Sequence, residues 1–330
     1  MKALVYDAPE TLAYRDMPDP RPGAGEHLIR IDAVGICGSD MHAYLGHDER
    51  RPAPLILGHE AAGVIVGGPR DGERVTVNPL VTCGTCDACR AGRDNICTTR
   101  QIISMPPREG AFAEWVAMPE RNLVTVPDGV PLTKAALAEP IACGWHAVRL
   151  GLGTPGTGGA ARALVIGGGA IGLGGALSLA AQGVQDVTVL EPNAARRAVL
   201  HDQCGQHAIA PDDLDETALF DIVLDGVGYA GTRATASKHA RPGGVILHIG
   251  LGEATGGLDI RRLTLAEITF IGTYTYTAQD FRDTCQAIFD GRLGALDWTE
   301  QRSLRDGNAA FQDIRAGRTP APKIVLEPGT

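Results

Sequence analysis

Ala163-Leu164-Val165-Ile166-Gly167-Gly168-Gly169-Ala170-Ile171-Gly172 is the stretch on which the reading of this chain turns. Four apolar residues, short and partly β-branched, read as a buried parallel strand. The residues after them fit G-x-G-x-x-G and open a helix-compatible run, Leu173 to Gln182. In that setting Gly167, Gly169 and Gly172, with Ala170 and Ile171 between them, allow a tight turn, close backbone approach to a pyrophosphate and close packing of helix on sheet. The helix N-terminus attracts the phosphates. A glycine fingerprint by itself is weak; a strand before it and a helix after it make it a dinucleotide site.

Moving toward the C-terminus, apolar runs recur at Val187-Thr188-Val189-Leu190, Ile222-Val223-Leu224 and Val245-Ile246-Leu247-His248-Ile249, with helix-length segments between them. That alternation suits right-handed βαβ crossovers, so the fold class is α/β with a doubly wound parallel sheet. The second strand ends at Glu191, about 20 residues past the glycines, where a carboxylate hydrogen-bonds the adenosine ribose and repels a 2′-phosphate. NAD is therefore favoured over NADP, although Arg196 and Arg197 stand near enough to draw a phosphate. Val227 and Gly250, just past the later strands, join the cofactor-binding candidates.

Moving toward the N-terminus, the Gly-rich segment Gly151 to Gly159 reads as a flexible boundary. Before it, runs such as Leu28-Ile29-Arg30-Ile31, Val64-Ile65-Val66 and Val75-Thr76-Val77 are β-rich and broken by Gly and Pro, as in an irregular antiparallel domain with few helices. A length of 330 residues also favours two domains over one. With 44% hydrophobic residues and a formal net charge of -9, the chain is an ordinary globular one without an electrostatic reason to bind nucleic acid or anionic membranes. No apolar stretch is long enough to span a bilayer and the start lacks the pattern of a signal peptide, so a cytoplasmic protein is expected.

Eight cysteines in a chain of this length argue for metal rather than a secreted disulfide framework. Cys83, Cys86, Cys89 and Cys97 lie close enough to converge on one ion. Four thiolates in a closed tetrahedral shell make a structural zinc site, which gives a lobe without a core, residues 80–100, its folding energy. The rival readings are a disulfide pair, disfavoured by compartment, and an iron-sulfur cluster. Cys97 lies too far from Cys89 for the bacterial ferredoxin run and has no proline after it.

Other ligand-capable residues are dispersed: Cys37 in Gly35-Ile36-Cys37-Gly38-Ser39-Asp40, His59 and Glu60 in Gly58-His59-Glu60, and Glu139 in Ala138-Glu139-Pro140. Singly, each has an ordinary explanation in packing or solvation. Jointly, and in this order with the four-cysteine lobe, Gly167 to Gly172 and a closing Lys323-Ile324-Val325-Leu326 strand, they resemble the zinc-containing medium-chain alcohol dehydrogenases, in particular the sorbitol and polyol branch. The resemblance covers nearly the whole chain.

The resemblance implies a GroES-like catalytic domain at 1–145, a Rossmann NAD-binding domain at 146–275, and a return to the catalytic domain at 276–330. It implies two zinc ions per chain. Cys37 and His59 would hold the catalytic one, with Glu60 and Glu139 as direct, water-mediated or exchanging ligands; which carboxylate binds directly stays open. Such a zinc needs about three protein ligands and one open position. A carboxylate at Glu139, where two-cysteine alcohol dehydrogenases have sulfur, points to the polyol branch. Asp40 would orient His59, Ser39 would begin a proton relay, and His42 would finish it at solvent.

The implied activity is oxidation of a secondary alcohol, most simply a sugar alcohol, to a ketone or ketose. The metal acts as a Lewis acid on the hydroxyl and hydride passes to NAD. L-Threonine 3-dehydrogenase and a simple alcohol dehydrogenase are the alternatives within the family. A catalytically inactive nicotinamide-binding structural or sensing protein is the alternative outside it. Tyr44, Phe112, Trp115 and Tyr274 line the substrate pocket or merely pack. The link Gly68-Pro69-Arg70-Asp71-Gly72-Glu73 is shorter than the family pattern, a change surface loops tolerate. A small-molecule alcohol and a second copy of the chain, as a dimer or tetramer, are the expected partners.

Overall fold

The structure, a computed structural model, describes residues 1–157, 159 and 162–329. In chain order the first elements are β1 (Lys2–Ala8), β2 (Thr11–Asp16), β3 (Glu26–Gly35), α1 (Gly38–Tyr44), β4 (Leu55–Ile56), β5 (Glu60–Val66), β6 (Arg74–Val77), β7 (Leu80–Val81), α2 (Asp87–Arg90), β8 (Gln101–Ile102), β9 (Trp115–Pro119), β10 (Leu123–Thr125) and α3 (Leu132–Ala135). The middle of the chain follows as α4 (Ala138–Leu152), β11 (Arg162–Ile166), α5 (Ala170–Ala181), β12 (Asp186–Leu190), α6 (Ala194–Asp202), β13 (His207–Ile209), β14 (Phe220–Asp225), α7 (Ala230–His239), β15 (Ala240–His248), α8 (Ile260–Leu265) and β16 (Thr269–Gly272). The last elements are α9 (Ala278–Phe289), β17 (Thr299–Ser303), α10 (Gly307–Arg315) and β18 (Lys323–Glu327).

Packing divides the chain into two units, one of residues 1–139, 277–290 and 299–330 and the other of 140–276 and 291–298. The first is the irregular β unit. Its main sheet runs β10-β6-β5-β3-β18-β17, with β9 on β3. The pairs are antiparallel except β17 with β18. A register shift in β3 between Ile31 and Ala33 has a large consequence. Up to Ile31 the odd residues, Ile29 and Ile31, enter the main core; beyond the shift Val34 enters it and Ala33 joins a second cluster with Ala62 and Val126. One extra residue flips the face each later side chain takes. The same shift sets Gly35 opposite Glu60.

The second unit carries a six-stranded sheet in the order β13-β12-β11-β14-β15-β16, all parallel. The apolar runs supply its core: Leu164, Ile166, Leu190, Val223 and Ile246 are all 5% exposed or less. The chain leaves β11 toward β12 on one side and returns to it with β14 on the other. The C-terminal end of that pair is the switch point where α/β sheets bind ligands.

The units divide at Glu139 and Pro140 rather than in the glycine-rich stretch. Gly151, the first glycine of that stretch, serves packing, as Gly144 does earlier in α4. A Cβ on Gly144 would lie 2.6 Å from the Gly175 nitrogen in α5, and one on Gly151 would lie 2.8 Å from Leu247 Cδ1. Gly151 is the next-to-last residue of α4, a helix seated closely on the parallel-sheet unit. Gly158, the next-to-last residue of the expected boundary, lies outside the described residues.

Candidate metal centre and dinucleotide turn

Asp40 builds the centre. It is fully buried in the first turn of α1, where one carboxylate oxygen accepts from the Cys37 amide (3.0 Å) and the other from the Gly58 amide (3.2 Å). One side chain thus ties the segment before α1 to the segment before β5. The Cys37 Sγ, a His59 ring nitrogen and a Glu60 carboxylate oxygen come within 4.8 Å of one another. Burial opposes the Asp40 charge, but His59 and Arg51 outweigh it and hold the carboxyl below its ordinary range.

The imidazole of His59 is gripped from both sides. Its Nδ1 lies 3.4 Å from Asp40 Oδ1 and 3.2 Å from Ser104 Oγ, and its Nε2 lies 3.4 Å from Ser39 Oγ. Burial works against its charged form, yet Asp40 and Cys37 raise its pKa well above the ordinary histidine value. Nothing in the sequence pointed to Ser104. It is fully buried with φ of 68°, a strained region for a residue with a Cβ. Its Oγ faces His59 while its carbonyl accepts from Arg51 Nε (3.0 Å).

Glu60 is fully buried. Its Oε1 accepts from Lys323 Nζ at 2.6 Å, and the same ammonium donates to the Ile36 carbonyl at 2.8 Å. Burial disfavours that ammonium, but Glu60, Cys37 and Glu139 raise its pKa overall. The other oxygen, Oε2, is buried with no hydrogen-bond partner, and a Cβ on Gly35 would lie 2.0 Å from it. A buried carboxylate oxygen without a donor is costly. Lying beside a thiol and an imidazole, it makes a donor set suited to a divalent cation of intermediate softness, and zinc fits it. Glu139 is buried in the first turn of α4 and acts on Lys323, but it lies outside the 4.8 Å cluster.

The other sequence candidates separate. Ser39 is half-buried at the centre, whereas His42, one turn along α1, is exposed, and no hydrogen bond joins the two among the described residues. Tyr44 and Phe112 pack against Phe311 in the main core. Trp115 lies in β9 beside a groove that includes Met17 and Pro107.

Cys83, Cys86, Cys89 and Cys97 cluster as a second set. The Cys83 sulfur lies 3.9 Å from that of Cys89 and 3.5 Å from that of Cys97. Four sulfurs at about 2.3 Å from one ion stand ~3.8 Å apart, whereas a disulfide needs about 2.05 Å. The amides of Thr85 and Cys86 point at Cys83 Sγ, at 3.4 and 3.3 Å, and pull that thiol down to about 5, while burial pushes Cys89 up to about 12. α2 buries no residue, so apolar packing does not hold the middle of this lobe. Zinc fits here also.

At the dinucleotide turn Gly167 takes φ of 98°, and a Cβ on Gly172 would lie 1.7 Å from the Gly167 carbonyl oxygen. Only glycine closes that turn. A Cβ on Gly169, in contrast, would meet nothing within 4 Å, so the backbone at the start of α5 is open to a phosphate. Val227 packs over Gly167, and Gly250 lies behind it against the Val227 backbone. Glu191 is 5% exposed and accepts from the amides of Gly168 (3.0 Å) and Asn193 (2.8 Å). Its carboxylate keeps lone pairs for a ribose hydroxyl. The Arg196 amide donates to the side chain of Asn193, which caps α6, while the Arg197 guanidinium is bound to the carbonyls of Glu191 and Pro192.

Residues 23–128 match the profile of the alcohol dehydrogenase GroES-like domain and residues 170–290 that of the zinc-binding dehydrogenases. The chain belongs to the zinc-dependent medium-chain alcohol dehydrogenase family. It is 32% identical to the L-galactonate-5-dehydrogenase of Escherichia coli (strain K12), over 89% of each chain. It is also 32% identical to the sorbitol dehydrogenase of Bacillus subtilis (strain 168), over 99% of this chain and 97% of that one. Among solved structures, an alcohol dehydrogenase from E. coli CFT073 complexed with NADH superposes with a TM-score of 0.88 at 25% identity, over 99% of each chain. Like the family as a whole, this zinc-dependent dehydrogenase combines a GroES-like unit with a parallel Rossmann sheet. No helix among its described residues is long and apolar enough to cross a membrane.

Proposed function

We propose that this dehydrogenase oxidises a secondary hydroxyl of a polyhydroxylated chain, a sugar alcohol or its acid, to a ketone and passes the hydride to NAD. One observation carries the reading: Cys37, His59 and a partnerless oxygen of Glu60 converge in a chain that sorbitol and L-galactonate dehydrogenases match almost end to end. Cys37 and His59 hold the catalytic zinc with Glu60, and Glu139 is the carboxylate in reserve. The four clustered cysteines hold the structural zinc. When bound, the catalytic metal supplies Lewis acidity that lowers the pKa of an alcohol. As a ligand His59 is neutral, so its second nitrogen donates to Asp40 or Ser104. In this reading Ser39, facing the other nitrogen, takes the hydroxyl proton and His42 releases it to solvent, with no hydrogen bond joining the two among the described residues.

Gly167 to Gly172 seat the pyrophosphate, with Val227 and Gly250 behind the turn, and Glu191 binds the ribose, which favours NAD over NADP. The proposed domains, 1–145, 146–275 and 276–330, follow the packing units except at 140–145, 276 and 291–298, which pack with the second unit. The absence of disulfides among the described residues supports a cytoplasmic protein, and exposed Leu251, Ile260 and Leu265 support a homo-oligomer.

The test is a screen for NADH formation across sugar alcohols, aldonic acids, L-threonine and simple secondary alcohols, with NADP in parallel and zinc counted per chain. Polyol or aldonate turnover with two zinc ions is expected. Activity on threonine alone would move the substrate class, and one zinc with no turnover would make the chain a structural or sensing protein. Cys37→Ala and His59→Ala are expected to abolish turnover and leave NADH binding nearly intact.

A further inference from the structure

Arg51 is 3% exposed, and its guanidinium stands beside the metal centre rather than at the surface. Nη1 donates to Asp48 Oδ2 at 2.5 Å, Nε to the Ser104 carbonyl at 3.0 Å, and Nη2 to Ser39 Oγ at 3.4 Å. Ser39 faces Nε2 of His59 and Ser104 faces Nδ1. Two donors of one planar fork therefore hold the two residues whose hydroxyls touch the two nitrogens of one imidazole. Burying a guanidinium is expensive, and plain packing would be served as well by an apolar side chain.

We propose that Arg51 is a positioning residue, which aims the Ser39 hydroxyl and braces the His59 imidazole through Ser104. The inference rests on the proposed dehydrogenase function. Arginine donates and never accepts. Its bond to Ser39 therefore occupies one lone pair of Oγ and leaves the other to accept the proton of the alcohol. The bond to the Ser104 carbonyl holds a residue with a left-handed backbone, so that its Oγ stays under Nδ1. Asp48 supplies the countercharge and stays paired to Arg50 (2.8 Å) if Arg51 is removed. Lysine cannot replace the fork, because its ammonium is a point donor without the fixed geometry.

The experiment compares Arg51→Met and Arg51→Lys, alone and on a Ser39→Ala background, with zinc content and NADH affinity measured for each. A second readout is independent of turnover: the visible spectrum of the protein with cobalt in place of zinc. Arg51→Met is expected to keep two zinc ions and wild-type NADH affinity while kcat falls by about 10–100-fold, the usual cost of a partner behind a ligand. KM for the alcohol should change little. Added guanidinium ion should restore kcat saturably, and the cobalt bands should shift and return with the same ion. On the Ser39→Ala background most of the loss should vanish, because contacting residues that act together are not additive.

Unchanged kcat with unchanged cobalt bands overturns the proposal. So does a loss that tracks missing zinc or missing folded protein, or one of equal size without Ser39. If Arg51→Met fails to fold, Arg51→Lys decides: wild-type kcat and bands in that variant overturn the proposal, and a partial loss upholds it. A wild-type protein that makes no NADH from any alcohol defeats the function, and the cobalt spectra still judge Arg51.

Discussion

At the scale of single residues, Glu60 is gripped at one oxygen and left unpartnered at the other, and Gly35 makes that posture possible. A Cβ there would sit 2.0 Å from Oε2 and 3.2 Å from the Glu60 Cβ, so Gly35→Ala must turn the carboxylate away and loosen its bond to Lys323. We expect a folded protein destabilised by about 2–3 kcal/mol, from overpacking and a weakened buried ion pair, with zinc held less tightly. Thermal melts and zinc titration against a chelator check this. Asp48 offers a pH test. Burial opposes its charge, but Arg50 and Arg51 hold its carboxyl down at about 2, below the ~3.9 of an unfolded aspartate. The stabilisation is thus whole above about pH 4 and is lost as pH falls toward 2. Asp48→Asn should cost about 2 kcal/mol at pH 7, a difference that fades through that window in urea titrations. Cys37, His59 and Glu60 are legible because each stands in a motif. Ser104, Arg51 and Lys323 are not, because their value lies only in what the folded chain sets beside them.

Among the elements, the four-cysteine lobe and the sheets obey different physics. The sheets are held by apolar strands, so β3, β5, β6, β11, β12, β14 and β15 can be read from their hydrophobic runs. The lobe has no buried residue in α2, and its buried apolar residues, Leu80, Val81 and Cys97, lie at its two ends. It is joined to α9 by Asp94, which accepts from the Ala278 amide at 3.1 Å. Cys89→Ala should therefore release one zinc, open residues 83–97 to limited proteolysis and lower Tm before it touches turnover. A variant that keeps two zinc ions and resists protease would show that the lobe folds without the metal. The glycine-rich stretch from Gly151 shows where sequence reading stops. Composition marks it as a hinge, yet Gly151 is inside α4, where its missing side chain admits Leu247. Glycine for flexibility and glycine for close packing look alike until the neighbour is known.

For the molecule as a whole, the order of elements was readable because the periodicity changes along the chain. Short broken β-runs come first and regular strand-helix alternation follows, and a parallel sheet in the order β13-β12-β11-β14-β15-β16 is what such alternation builds. What no local pattern announces is the return of the chain, with β17 and β18 joining a sheet whose other strands lie far earlier in sequence, as the pairing of Val325 with Gly35 requires. Nor does any pattern announce the exposed edge of the parallel sheet. β16 pairs on one side only among the described residues, and around it Leu251, Ile260, Leu265 and Phe270 are 75, 63, 74 and 37% exposed. An open strand edge flanked by apolar side chains invites another strand, and natural chains that stay monomeric blunt such edges with charge or proline. The same edge of a second copy is self-complementary about a twofold axis. The dehydrogenase should therefore sediment at micromolar concentration as a dimer or a multiple of one. Leu265→Lys with Phe270→Lys should weaken that association by at least about tenfold, ~1.4 kcal/mol, while the metal centre and the four-cysteine lobe, built elsewhere in the chain, each keep their zinc. A wild-type chain that sediments as a monomer at that concentration would mean that this apolar edge meets something other than itself.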